Sequence, residues 1–192
     1  MKKLISSVCL FLVFFIAPAQ EAPEGLFISS KAPDFRAKDQ HGKDIRLKDL
    51  LKEGKVVLVF YRGEWCPYCN KELSRLQDSL QLIKDKGATL VAVGPEKPEN
   101  VLKTVEKTKA EYSILYDEGL KIMKAYDVEF EVPENTLTRY RNAGLDIEKN
   151  NGGKFLPVPA VFIIDKESTI IYRFFELDYK KRPSVKELLD NL

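Results

Sequence analysis

The sequence predicts one α/β domain built on a mixed central sheet flanked by helices. Three observations carry this reading. Continuous apolar runs at residues 56–61, 89–93 and 160–165 are rich in β-branched side chains, as strands buried on both faces require. Segments with helix character follow the first two runs, at 67–86 and 98–110. A strand at 169–175 turns back on the third run across Lys166-Glu167-Ser168, and a helix at 184–192 closes the chain.

Met1-Lys2-Lys3 supplies a positive start, residues 8–17 are almost wholly apolar, and Ala17-Pro18-Ala19 forms a small-x-small cleavage signature. Residues 1–19 therefore read as a cleaved signal peptide, with Gln20 the first mature residue. The apolar run falls short of the roughly 20 residues a spanning helix needs, so no stable membrane anchor is expected after cleavage. Export behind a Lys-Lys start points to a bacterial periplasm. Residues 20–32 are expected to be a flexible lead-in, and 33–192 the folded domain.

Within the domain, residues 33–37 and 45–47 read as two short strands joined by a polar turn containing His41 and Gly42. Residues 49–51 begin a connecting turn. Pro67 opens the helix at 67–86, whose inward face carries Leu73, Leu76, Leu80 and Ile83, and Gly87 ends it. Residues 112–116 form a short strand and 118–126 a short helix. The stretch 127–157 is read as irregular, with a helix at 134–142 and a loop at Asn150-Asn151-Gly152-Gly153.

The formal charge is +2, and it falls to zero when Lys2 and Lys3 leave with the signal. With no basic tail or face, nucleic acid is not an expected partner. Of three cysteines, Cys9 lies in the signal segment, which leaves Cys66 and Cys69. A disulfide over so small a loop constrains the unfolded chain very little, so the pair is better explained by reactivity than by stability.

Cys66-Pro67-Tyr68-Cys69 sits where a buried strand hands over to a helix. There Cys66 takes the N-cap position, where free backbone amides and the positive end of the helix dipole favour a thiolate. Arg62, four residues earlier, adds positive charge. Cys69 lies one turn into the helix, within disulfide reach of Cys66 and less exposed. A zinc site lacks a second cysteine pair, since His41 is the only histidine, and haem attachment would need histidine where Asn70 stands. No metal or cofactor is expected, although copper carriage by two thiolates stays chemically open. A second feature is Val158-Pro159, directly ahead of the third buried run, where a cis bond would set a sharp turn and a trans bond a plain loop.

FYRGEWCPYC, followed some ninety residues later by LPVPAVFIID, resembles the thioredoxin superfamily, and more narrowly its AhpC/TSA peroxiredoxin-like branch carrying WCPYC. APDFRAKDQHGKDIRLKDL resembles the N-terminal hairpin shared by peroxiredoxins and exported disulfide reductases. FELDYKKRPSVKELL resembles the peroxiredoxin-like branch itself. The resemblance covers residues 31–192. It implies a thioredoxin-like fold with an N-terminal β-hairpin extension and a redox disulfide between Cys66 and Cys69. Arg62, Trp65 and Pro67 would support that pair, with Pro159 as a cis-proline packed against it. It also implies reduction of a peroxide, or alternatively of a protein disulfide, with recycling by a thioredoxin-like reductant. Two departures matter. The peroxiredoxin pattern Pro-x-x-x-Thr-x-x-Cys, counted without gaps, falls on Arg62, Cys66 and Cys69, making Cys69 the attacking thiol; the thioredoxin register and the helix N-terminus favour Cys66. Phe60 occupies the position where many thioredoxins carry a buried acid.

Other residues take bland readings. His41 is a solvated turn residue and Glu64 an exposed loop carboxylate rather than a proton shuttle, while Tyr68 either shapes substrate access or simply covers the helix start. The Lys/Glu-rich stretch 97–109 reads as a solvated helix face.

Overall fold

The computed structural model describes residues 22–192; the expected signal peptide and Cys9 lie outside the described residues. Strands β1 (Arg36–Lys38) and β2 (Asp44–Arg46) pair antiparallel around a turn in which Asp39 accepts the His41 and Lys43 N–H groups at 2.9 and 3.0 Å. The expected turn after them is helix α1 (Leu47–Glu53), because Leu47 and Leu51 share a face and are buried. Then come β3 (Lys55–Phe60), α2 (Pro67–Asp78), α3 (Leu80–Asp85), β4 (Ala88–Gly94), α4 (Pro98–Thr108) and β5 (Ser113–Tyr116). The single helix expected at 67–86 is broken at Ser79, whose φ of −106° and ψ of 8° redirect the chain so that Leu80 and Ile83 still reach the core. A 3-10 turn (Glu118–Leu120) leads into α5 (Lys121–Ala125).

Residues 127–157 are more regular than expected. They form β6 (Glu129–Glu131), α6 (Glu134–Asn142), α7 (Ile147–Asn151) and β7 (Phe155–Pro157), with β6 and β7 paired antiparallel. Asn151, expected in a loop, ends α7, and Gly152 at φ 76° stops the helix. The unit has its own apolar cluster of Val132, Leu137, Ile147 and Leu156, against which Trp65 packs. The chain ends with β8 (Ala160–Ile164), β9 (Ile170–Phe175) and α8 (Val185–Asp190).

The central sheet runs β5-β4-β3-β8-β9, with β3, β4 and β5 parallel and β8 and β9 antiparallel to their neighbours. This is the mixed sheet flanked by helices that the sequence predicts, and the fold is thioredoxin-like. Strand β3 is covered on both faces. Val57 and Val59, with Tyr61 just beyond them, pack with Cys66, Cys69 and α2, while Val56, Leu58 and Phe60 pack with Tyr126 and Phe162. Phe60 therefore points away from the cysteines, into the cluster around Tyr126 and Phe162.

Both sheet edges are covered. Gln40 spans the β5 edge, donating to Tyr112 O at 3.0 Å and accepting from Ile114 N at 2.8 Å. The lead-in, expected to be flexible, is tied along β9: Ser29 N–H donates to Ile170 O (2.8 Å), Ile170 N–H to Ser30 O (2.9 Å) and Ala32 N–H to Ser168 O (2.8 Å). Unpaired edge groups on β9 are the physical reason for this order. No helix among the described residues is long and apolar enough to cross a membrane.

Candidate active site

The two cysteines meet at the N-terminus of α2. Cys66 is its N-cap, with extended backbone (φ −89°, ψ 107°), and its Sγ accepts the Cys69 N–H at 3.3 Å. Pro67 follows at the first helical position, where its missing N–H costs nothing and its fixed φ suits the helix. Both thiols are free and buried, at 1% and 0% exposure.

Their electrostatics differ sharply. The Cys69 thiol's hydrogen bond, the Cys69 N–H and the charges of Arg62 and Arg182 hold Cys66 down at about 6, against its burial. Burial pushes Cys69 well above the ordinary thiol range, and a Cys66 thiolate beside it pushes the same way. Alkylation of Cys66 should therefore rise with a midpoint near pH 6, well below a free thiol; quantitative mass spectrometry of iodoacetamide adducts across pH checks this.

Arg62, at the end of β3, is itself buried. Its guanidinium lies between the Trp65 ring (4.9 Å) and the Tyr179 ring (4.6 Å) and donates to the Tyr140 hydroxyl at 2.7 Å. Its backbone N–H donates to Cys69 Sγ at 3.5 Å. Trp65 is held against the β6–β7 unit, with Tyr140 5.8 Å away. Gly63 makes that approach possible: at φ 154°, a β-carbon there would run into the Trp65 indole. Gly63→Ala is expected to cost about 1–3 kcal/mol and to dislodge Trp65, which thermal unfolding and tryptophan fluorescence would detect.

Sequence reasoning missed Arg182 and Glu72. Glu72 lies three residues after Cys69 on the buried face of α2 and is ion-paired with Arg182, the two side chains being 3% and 5% exposed. Arg182 also donates to Cys69 Sγ at 3.4 Å. Burial pushes the Glu72 carboxyl up to about 7, although Arg182 pulls the other way. Spacing from Cys69 was a usable signal for Glu72, an acid at i+3 beside Leu73 and Leu76. For Arg182, 113 residues from Cys69, only the tail similarity pointed to the region.

The remaining expectations divide. Glu64 does not face the thiols: its carboxylate is ion-paired with Lys107 of α4, so one lysine of the supposedly solvated face is engaged. Tyr68 is 38% exposed and packs edge-on to Tyr179 at 5.7 Å. Pro159 is not a cis-proline; the described residues contain no cis peptide bond. The chain passes extended from β7 into β8, with Val158 N–H donating to Val128 O at 2.7 Å and Pro159 O accepting from Glu176 N at 3.3 Å, so no reversal is needed there. A groove of about 220 Å³ opens beside Arg62, lined by Phe130, Tyr140, Val158, Pro159 and Tyr179 among others. Among the described residues no group of three or more His, Cys, Asp or Glu side chains is arranged to hold a metal.

Residues 28–173 match the AhpC/TSA family. The chain belongs to that family. Similar proteins include peroxiredoxin Bcp of Bacillus subtilis, 29% identical over 86% of this chain and 94% of that one. Thiol-disulfide oxidoreductase ResA of Bacillus cereus is 28% identical over 77% of this chain and 69% of its own. Among solved structures, peroxidoxin BcpB of Mycobacterium tuberculosis superposes with a TM-score of 0.67, at 22% identity over 85% of this chain and 94% of that one. This AhpC/TSA protein is an oxidoreductase, and two free thiols stand together at its α2 N-terminus.

Proposed function

We propose that this AhpC/TSA protein is a thiol peroxidase in which Cys66 attacks a hydroperoxide and Cys69 resolves the product. The observation that carries the choice of substrate is burial: Cys66 is 1% exposed beside two guanidinium groups. A two-oxygen peroxide group can reach such a sulfur, whereas attack on a protein disulfide needs the sulfur at the surface. Similarity to peroxiredoxin Bcp supports the same reading.

The Cys66 thiolate attacks one peroxide oxygen, the O–O bond breaks, and the leaving alkoxide or hydroxide takes up a proton to become alcohol or water. Cys66 is now a sulfenic acid. The Arg62 and Arg182 charges that favour the thiolate also stabilise negative charge developing on the departing oxygen. Cys69 then attacks the Cys66 sulfur; its proton leaves with the hydroxide as water, and the disulfide forms. A thioredoxin-like dithiol returns two electrons by exchange through a mixed disulfide, a step that requires the oxidised α2 N-terminus to open and bring a sulfur to the surface. Export to the periplasm is part of this proposal.

The second reading, an exported thiol-disulfide oxidoreductase, is favoured by similarity to ResA. Stopped-flow mixing of the reduced protein with hydrogen peroxide, beside a parallel assay of protein-disulfide reduction, separates the two. Fast peroxide oxidation and sluggish disulfide reduction support the peroxidase. Peroxide oxidation no faster than that of a free thiol, with rapid disulfide reduction, sinks it.

A further inference from the structure

The turn between β3 and α2, residues 61–64, carries much of what distinguishes the two thiols. It supplies the Arg62 charge near Cys66, the Arg62 N–H on Cys69, and the Gly63 carbonyl that accepts the Cys66 N–H at 3.0 Å. A four-residue turn of this kind, lying outside the sheet and helix ladders, needs contacts from elsewhere to hold one shape.

Glu96 supplies them. It lies in the β4–α4 connection, is 0% exposed, and makes no ion pair among the described residues. Its Oε2 accepts from the Tyr61 hydroxyl at 2.9 Å and from Thr104 at 2.7 Å, and its Oε1 accepts from the Glu64 backbone N–H. Tyr61 and Glu64 are the two ends of the turn. Gly94 lets the Tyr61 ring approach this site, since a β-carbon there would lie 2.6 Å from the ring. A buried carboxylate without a cation is expensive, and burial accordingly pushes its proton affinity up. Tyr61 and Thr104 occupy only one of its oxygens; the other is spent on the backbone two residues before Cys66.

We propose that Glu96 is a positioning residue for the attacking thiol, its carboxylate clipping both ends of the 61–64 turn so that Arg62 and the N-cap seat of Cys66 keep their places. The inference rests on the reading that Cys66 attacks. Glu96 touches neither sulfur, so its effect passes through the turn.

The sign of one measurement separates this role from the alternatives. Glu96→Leu removes all three hydrogen bonds and the charge. Glu96→Gln removes the charge but keeps the bonds, because the Tyr61 and Thr104 hydroxyls can turn to accept from the amide while its oxygen accepts from Glu64. Site-resolved alkylation of Cys66 by iodoacetamide across pH is expected to show a raised midpoint in Glu96→Leu. At pH 6 the rate would be roughly fivefold lower, as a one-unit rise from a midpoint near 6 dictates. Glu96→Gln is expected to restore the wild-type midpoint. If Glu96 acted only as a nearby negative charge, both variants would lower the midpoint; if it served only the fold, thermal stability would fall and the midpoint would not move. Either result overturns the proposal. Tyr61→Phe, which removes one bond from the clip, covers poor folding of the leucine variant and is expected to shift the midpoint the same way by less. The wild-type profile separately tests the reading beneath: a midpoint in the ordinary thiol range would remove Cys66 as attacking thiol, and the inference with it.

Discussion

Cys66→Ser is expected to slow oxidation by hydroperoxide at least about a thousandfold, the scale on which loss of a covalent nucleophile acts. Cys69→Ser is expected to keep the first, fast oxidation and to stop at a Cys66 sulfenic acid, trapped by dimedone and open to further oxidation by excess peroxide. The asymmetry follows from the environment. Cys66 has the helix N-terminus, the Cys69 N–H and two arginine charges to hold it as thiolate near pH 6, whereas burial keeps Cys69 protonated. The Cys69 register of the peroxiredoxin pattern makes the opposite forecast, in which Cys69→Ser abolishes the fast phase. Its physical support is that Cys69 Sγ takes hydrogen bonds from the Arg62 N–H and from Arg182. Loss of the fast phase in Cys69→Ser alone would reverse the assignment.

Arg182→Met is expected to destabilise the protein most above pH 7, by up to about 3–5 kcal/mol, because an ionised Glu72 then loses its buried partner. For a domain of this size the melting temperature would fall by on the order of 10 °C. The loss should depend on pH. Glu72 has its folded-state value raised from 4.5 to about 7 by burial, against the pull of Arg182, and without Arg182 it rises further. An acid shifted upward holds in the folded state a proton that the unfolded chain releases. Its contribution is therefore fully present below about pH 4.5 and is lost as pH rises through the folded value. The variant's deficit should accordingly be small near pH 5 and largest at pH 8, in thermal melts taken across that range. Glu72→Gln with Arg182→Met should recover much of the stability while leaving Cys66 less acidic, since one of its two arginines is gone. An unchanged melting temperature in Arg182→Met at pH 8 would show that the pair carries no such load.

Much of this was legible in the chain. The three buried strands, the proline-opened helix and the hairpin near the C-terminus were set by uninterrupted β-branched runs and helical spacing, signals that local sequence carries by itself. Residues 127–157 were not, because β6 and β7 are three residues each and exist only by pairing with one another. The break at Ser79 has no proline or glycine to announce it. The trans bond at Pro159 is decided by continuity between β7 and β8, which no X-Pro dipeptide encodes.

The site divides along the same line. The chain by itself determined that Cys66 would cap a helix with Cys69 one turn inside it, since three-residue spacing and Pro67 leave the local backbone little choice. Tertiary structure decided the rest of the electrostatics. Arg182 reaches the pair from the approach to α8, Tyr140 and Tyr179 hold Arg62 from two other segments, and Glu96 grips the turn from the far end of β4. Electrostatic and hydrogen-bond forces depend on distance in space, and helical periodicity reports nothing about which side chains, tens of residues apart, will share a buried volume.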